Sequence, residues 1–376
     1  MKTTLTTAAT LLLTTAAANA GGLDRATLST GALFEDGTYA ELSFGSVQPE
    51  VSGSVTLPAI VGGATLETGN LGVDYTTLGA ALKFDVDEKV SVAILLGDPY
   101  GADVDYPAGT GYPLAGSNAE INSFGVTILG KYQLNENASV YFGPRAVTLD
   151  GFAQVVTPTN LPYDATYDED TAFGYVVGAA YERPDIALRI ALTYTSELDF
   201  SHSTTLATQN GDVDVAATEF TLPQSVNLEF QSGVAADTLV FGGVRWSEWT
   251  ATEINSFGFP GNPLVSFEND TTTYSLGVGR KFTENFSAAL SVSYEEEKDG
   301  VSSNLAPTDG STSISLGGTY DVGNGFEITG GVRYIIVGDA ETSLPIPINA
   351  DVTLPTTPEF QDNDAIAFGL QVAYKF

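Results

Sequence analysis

Apolar and polar residues alternate with a period of two through most of this chain. In the last segment Ile366, Phe368, Leu370, Val372, Tyr374 and Phe376 share one parity, and Ala365, Ala367, Gly369, Gln371, Ala373 and Lys375 the other. The same rhythm sets Phe286, Ala288, Leu290, Val292 and Tyr294 against Ser287, Ala289, Ser291, Ser293 and Glu295. It also sets Ile186, Leu188, Ile190, Leu192 and Tyr194 against Ala187, Arg189, Ala191, Thr193 and Thr195. Successive side chains of an extended strand point to opposite faces, so this period predicts strands. Short links at 85–89, 135–137, 182–185, 233–237, 283–285 and 321–325 alternate with seven much longer polar or mixed stretches, from 49–71 to 338–362. About fourteen strands of about ten or more residues result, with tight turns at one end and large loops at the other. The predicted fold class is all-β: a transmembrane up-and-down antiparallel β-barrel.

Charge settles which face meets lipid. A Lys or Arg on the lipid face near mid-membrane costs roughly 2–4 kcal/mol. Arg189, Arg245 and Arg333 should therefore point inward, leaving the aliphatic and aromatic parity outside. Tyr132, Tyr181, Phe282, Tyr320 and Phe376 cluster near the short turns, as an interfacial aromatic girdle would. A soluble sandwich or propeller also alternates, but its strands usually run about 5–6 residues.

Composition narrows the class further. Charged residues make up 16% of the chain, against about 25% in soluble domains. Mean hydropathy is only +0.06, which excludes a stack of membrane helices. Lys2, the Leu-, Ala- and Thr-rich run 5–18 and Ala18-Asn19-Ala20 read as a signal peptide, residues 1–20, cut after Ala20. An uncleaved anchor is the other reading, which the many threonines of the run disfavour. There are no cysteines, so an exported chain must be held by something other than disulfides, and a closed backbone hydrogen-bond network is one such device. The formal net charge of −33 argues against a nucleic-acid partner and repels anions at low salt. Solubility or salt adaptation of exposed loops accounts for the same acidity.

Little catalytic chemistry is available. The single histidine, His202, falls in a predicted outer loop within Asp199-Phe200-Ser201-His202-Ser203. A neighbouring serine or aspartate in sequence does not make a dyad, so an outer-membrane hydrolase is the weakest reading. One histidine and no cysteine leave no zinc site of the usual kind. Acidic runs 164–170 and 295–299 could bind Ca²⁺, but neither has an EF-hand pattern, and both read as solvated loop tips. No cofactor motif is present.

Several stretches resemble the FadL/TodX family of outer-membrane channels for hydrophobic compounds. Arg189-Ile190-Ala191-Leu192-Thr193-Tyr194-Thr195-Ser196-Glu197 is similar to the family's seventh strand. Leu222-Pro223-Gln224-Ser225-Val226 resembles its Leu-Pro-x-Ser-Val start of strand eight, and Gly243-Val244-Arg245-Trp246-Ser247-Glu248-Trp249 its Trp-x-x-Trp ending of strand nine. Residues 123–149 resemble the family's paired strands around a Lys-x-Asn-Glu turn, and terminal Tyr374-Lys375-Phe376 resembles the C-terminal signal of outer-membrane barrels. The family's Asn-Pro-Ala motif before the first strand is missing, and Asn262-Pro263 lies far away. The predicted hatch is therefore short, residues 21–37, ahead of a barrel over 38–376; Leu23, Asp24, Arg25, Leu28, Leu33 and Phe34 would tuck into the lumen. A mobile periplasmic tail is the alternative.

The resemblance implies uptake of long-chain fatty acids or hydrocarbons: capture among outer loops, passage into a plugged barrel, then sideways release into lipid. It places Phe152, Val155, Val156, Leu161 and Tyr163 in a loop that supplies part of a landing groove, helped by apolar runs 57–61, 257–260, 264–265 and 344–348. It suggests a lateral opening at Gly97, Asp98, Pro99, Tyr100 and Gly101, where proline removes a ladder donor; an ordinary strand exit reads alike. Arg145, Arg189, Arg245 and Arg333 are candidates for a carboxylate head group, or for pairing with Glu41, Glu197, Glu229 and Glu327. The acidity instead favours a neutral cargo. Expected partners are a hydrophobic small molecule, outer-membrane lipid and lipopolysaccharide, and the barrel-assembly machinery, with the chain a monomer. The runner-up is a cation-preferring general diffusion porin.

Overall fold

The computed structural model describes residues 22–26, 28–156, 162–260, 263–298, 300–349 and 352–376. The proposed signal peptide and Leu161 lie outside the described residues. Fourteen strands form one antiparallel barrel: β1 (Tyr39–Glu50), β2 (Tyr75–Asp85), β3 (Val90–Gly97, resuming as Ala102–Asp105), β4 (Asn118–Gln133), β5 (Ala138–Val156), β6 (Pro162–Arg183), β7 (Leu188–Thr195 and Leu198–Thr208), β8 (Gly211–Leu222 and Ser225–Ala235), β9 (Thr238–Ser247), β10 (Thr271–Lys281), β11 (Phe286–Glu295), β12 (Ser311–Gly323), β13 (Phe326–Val337) and β14 (Asp364–Lys375). Each pairs with its sequence neighbour, and β1 pairs with β14 from Tyr39↔Lys375 to Glu50↔Asp364, which closes the ring. Closure leaves neither the first nor the last strand as a free edge, the condition for a sheet surrounded by hydrocarbon.

The parity is the one that charge requires. Leu42, Leu78, Phe124, Leu192, Leu276, Leu316 and Leu370 are exposed on the outer wall, while Arg145, Arg333 and Lys83 are buried inside. Arg280 has outer parity but stands beside the short turn after Lys281, at the interface, where such a charge costs little. Tyr132, Tyr181, Phe282, Tyr320 and Phe376 are all exposed at the short-turn end, and Phe173, Tyr175, Tyr274, Tyr294 and Tyr334 form a second belt. Tyr274 to Phe282 spans roughly 27 Å of strand. At a tilt near 40° that is about 20 Å of height, close to the apolar band of outer-membrane barrels.

Two predicted loops are strand instead. β5 and β6 remain paired from Ala138↔Tyr181 to Val156↔Pro162, and β7 and β8 from Arg189↔Gln231 to Thr208↔Gly211. Phe152, Val155 and Tyr163 thus sit on strands, not on a loop, as do Asp164, Asp168, Asp170 and His202. The physical reason lies in the interior parity, which persists above the membrane: Ala153, Val155, Tyr163, Ala165, Phe200, His202 and Thr204 are all buried. Their polar partners of opposite parity face water, which masks the apolar rhythm that marks the membrane band. Glu295 is likewise the last residue of β11 and buried, not a solvated tip, and Asp299 lies outside the described residues.

Candidate functional site: cavities around a lumenal segment

The third strand breaks where the sequence suggests. β2 and β3 pair only as far as Gly79↔Gly97. Beyond that point β2 still pairs with β1 up to Tyr75, whereas β3 resumes at Ala102 against β4, with only an isolated bridge from Val104 to Gly72 on its other side. Several of the freed backbone groups find other partners, as burial demands. The Asp98 carboxylate accepts the Leu78 N–H at 2.9 Å, Ser123 bonds both the N–H and the carbonyl of Tyr100, and the Pro99 carbonyl accepts the Arg25 N–H at 3.0 Å. A cleft of about 130 Å³ crosses the wall here. It runs from lumenal Leu28, Glu41, Ser43 and Arg145 past Gly97, Asp98 and Pro99 to lipid-facing Phe44, Leu78 and Leu96.

The N-terminal segment lies inside the barrel against this break. Leu23, Asp24, Arg25, Ala32 and Leu33 are buried. Asp24 bridges to Tyr100, and the Leu23 carbonyl accepts the Gly101 N–H at 2.9 Å. Arg25 pairs with Asp103 and lies 4.7 Å from the Tyr75 ring centroid. A single 3₁₀ turn, Gly31–Phe34, brings Phe34 between the cations of Lys131 and Arg189, at 5.0 and 4.8 Å, with its ring edge-on to Tyr141. Lys375 at 3.0 Å from Glu35 ties the end of the segment to β14. Burial raises the Glu35 carboxyl above its ordinary range, against the pull of Lys375.

Above the segment lie two further cavities. The outer one, about 550 Å³, is walled by Leu114, Val155, Phe259, Pro260, Leu344 and Pro345 among others. The inner one, about 40 Å³, is walled by Leu23, Phe152, Leu149, Ile121, Phe220 and His202 among others. Leu264 and Leu305 belong to both walls and form the partition. Around them Tyr106 and Tyr112 stack at 5.6 Å, and Trp249, fully buried, packs on Tyr100 and Phe267. Burial pushes both loop phenols far above their ordinary range, so Tyr106 keeps its proton and donates it to the Asn304 carbonyl at 2.6 Å.

Of the residues singled out in the sequence, Phe152 lines the inner cavity, Val155 the outer, and Gly97, Asp98 and Pro99 the wall cleft. Gly101 stands against the Arg25 side chain. Tyr163 instead packs edge-on to Phe259 and bonds Ser256. The four arginines do not converge. Arg145 lies over the Tyr100 ring at 5.3 Å, Arg189 over Phe34, Arg245 pairs with Asp24 at 3.0 Å, and Arg333 donates to Ser315 at 2.8 Å. Sequence reasoning missed Leu305, Trp249 and the buried position of His202 in the inner cavity wall. The signal for the last was the unbroken parity of Phe200, His202 and Thr204. Among the described residues, no group of three or more His, Cys, Asp or Glu could hold a metal ion.

A closed barrel with an apolar band outside, a lumenal segment inside and stacked apolar cavities above it defines a membrane-spanning channel fold. The family model described as outer membrane protein transport protein (OMPP1/FadL/TodX) matches residues 32–376, and the chain belongs to that family. Solved structures with the same fold include a Pseudomonas aeruginosa FadL homologue (15% identity, 96% of this chain and 97% of that one, TM-score 0.76). Others are the P. putida toluene transporter TodX (12%, 93% and 95%, 0.63) and the Ralstonia pickettii toluene transporter TbuX (12%, 92% and 91%, 0.60). No curated protein matches the sequence.

Proposed function

We propose that the chain takes up hydrophobic molecules across the outer membrane and releases them sideways into lipid. Cargo lands in the outer groove, passes the Leu264–Leu305 partition into the inner cavity, and leaves through the cleft at Gly97, Asp98 and Pro99 once the N-terminal segment yields. The observation that carries this reading is the wall cleft, where lumenal and lipid-facing residues border one space. Release into hydrocarbon spares an apolar solute the crossing of water, worth about 0.8 kcal/mol for each buried methylene. The relatives whose names specify toluene, and the shortage of a convergent cationic site, favour a neutral cargo such as a hydrocarbon. Residues 1–20 would direct export and be removed.

The test is reconstitution in liposomes, with toluene and oleate uptake measured beside single-channel current. Saturable uptake of one or both with little ion current is expected. Free ion conduction without such uptake would instead mark a diffusion porin.

A further inference from the structure

His202 is the only histidine in the chain, and it is placed with care. It projects from the outer half of β7 and is completely buried. Its ring lies nearly parallel to those of Phe200 and Phe220, with centroids at 5.5 and 5.4 Å and planes within 13°, and the two phenyl rings meet each other at 5.6 Å, so the three rings form a triangle. Nδ1 stands 2.7 Å from the Asp168 carbonyl oxygen. A carbonyl only accepts, so Nδ1 carries the hydrogen and, in the neutral ring, Nε2 presents a lone pair. That Nε2 is shielded from solvent and has no hydrogen-bond partner among the described residues.

His202 lines the inner cavity, whose wall is otherwise almost wholly apolar. The other polar side chains of that wall are already engaged. Glu120 accepts from Asn122, Tyr167 donates to Ser256 at 2.9 Å, and Thr218 bonds Thr204 at 2.8 Å. A buried acceptor without a donor is costly, and such a site discriminates for ligands that supply one. A phenylalanine would continue the Phe200–Phe220 stack without that cost, so the stack alone does not account for an imidazole.

We propose that the inner cavity is a selectivity site for hydroxylated hydrophobes, phenols or alcohols, whose O–H donates to His202 Nε2. This rests on the uptake reading above and names its preferred cargo class. The cavity as it stands, about 40 Å³, takes roughly a hydroxyl-sized group. The apolar body of the ligand enters by displacing Leu264 and Leu305 toward the outer groove. The neutral O–H agrees with a chain that repels anions.

A single histidine makes the test direct. Tag-free protein labelled with ¹⁵N in the imidazole gives one ring spin system in lipid nanodiscs. Titration with p-cresol should move the Nε2 resonance saturably, while toluene, which differs only by lacking the hydroxyl, should leave it nearly in place. In liposomes below saturation, His202→Phe should lower the ratio of p-cresol to toluene uptake by about three- to tenfold, the worth of one neutral hydrogen bond. Equal resonance shifts with both compounds, or a p-cresol to toluene uptake ratio that His202→Phe does not change, overturns the proposal without touching the hydrocarbon-uptake reading. If the wild type carries neither compound, the uptake reading falls, and the titration alone decides the site.

Discussion

Arg245 on β9 holds Asp24 of the N-terminal segment at 3.0 Å, although 221 residues separate them in the chain. Both side chains are largely withdrawn from solvent, and Arg245 also donates to Ser225 at 3.1 Å. Breaking a buried pair by removing one partner leaves an uncompensated charge, at about 3–5 kcal/mol where burial is complete. Asp24→Ala should therefore loosen the segment while the barrel, which closes without it, stays folded. Single-channel recording should show longer or larger open events than in wild type. Asp24→Ala with Arg245→Met, which removes both charges, should return current toward the wild-type level.

The sequence made the barrel legible because membrane strands must keep one parity apolar over the whole hydrocarbon band. The short turns were equally plain: Asp85 to Val90, Gln133 to Ala138 and Lys281 to Phe286 bracket the observed links. The extension of β5–β8 above the membrane was not, since water there accepts any outer side chain and only the inner parity survives. The proline and glycine at Pro99 and Gly101 marked the break in β3 through backbone chemistry alone. Which side chains meet across the lumen, such as Leu305 with Leu264 or Asp24 with Arg245, depends on loop and segment packing that no local pattern encodes. Scarce basic residues made Arg145, Arg189, Arg245 and Arg333 each a candidate for a head group or for pairing with an inward acid, but inward parity fixes only direction, not height or azimuth.

The lip of the wall cleft can be closed by size. A Cβ built at Gly97 would have ordinary room, with the Leu78 carbonyl oxygen nearest at 3.4 Å. Gly97→Phe should thus fold, place a ring between Leu78 and Pro99, and sharply reduce hydrocarbon uptake into liposomes. Binding of the same hydrocarbon to the purified protein should persist, because the outer groove lies elsewhere. Equal uptake by Gly97→Phe and wild type would show that cargo does not leave by this route.

The lipid face should resist charge. Leu276 on β10 is exposed on the outer wall, between the two aromatic belts. Leu276→Arg should destabilise the barrel by roughly 2–4 kcal/mol if it lies near mid-membrane. Urea unfolding in lipid vesicles, followed by the loss of the heat-modifiable band on gels, measures this. The same change at Val234, exposed beside the short turn between β8 and β9, should cost no more than about 1 kcal/mol.

Gly178 on β6 lets Tyr141 lie flat against the inner wall. A side chain there would collide with the Tyr141 ring and hydroxyl. Tyr141 is fully buried, shares a 2.6 Å hydrogen bond with Thr193, and meets the edge of Phe34 at a centroid distance of 5.9 Å. Gly178→Val would force the ring out of this position, losing the hydrogen bond, worth about 1 kcal/mol, and the aromatic contact, worth about 0.5–1.5 kcal/mol. The barrel strands would remain paired, since valine suits a strand. The expected result is a folded protein whose N-terminal segment is cut faster by protease near Phe34 when detergent gives access to the periplasmic side. Phe34→Ala should produce the same acceleration, and combining the two should add little, because both remove one contact.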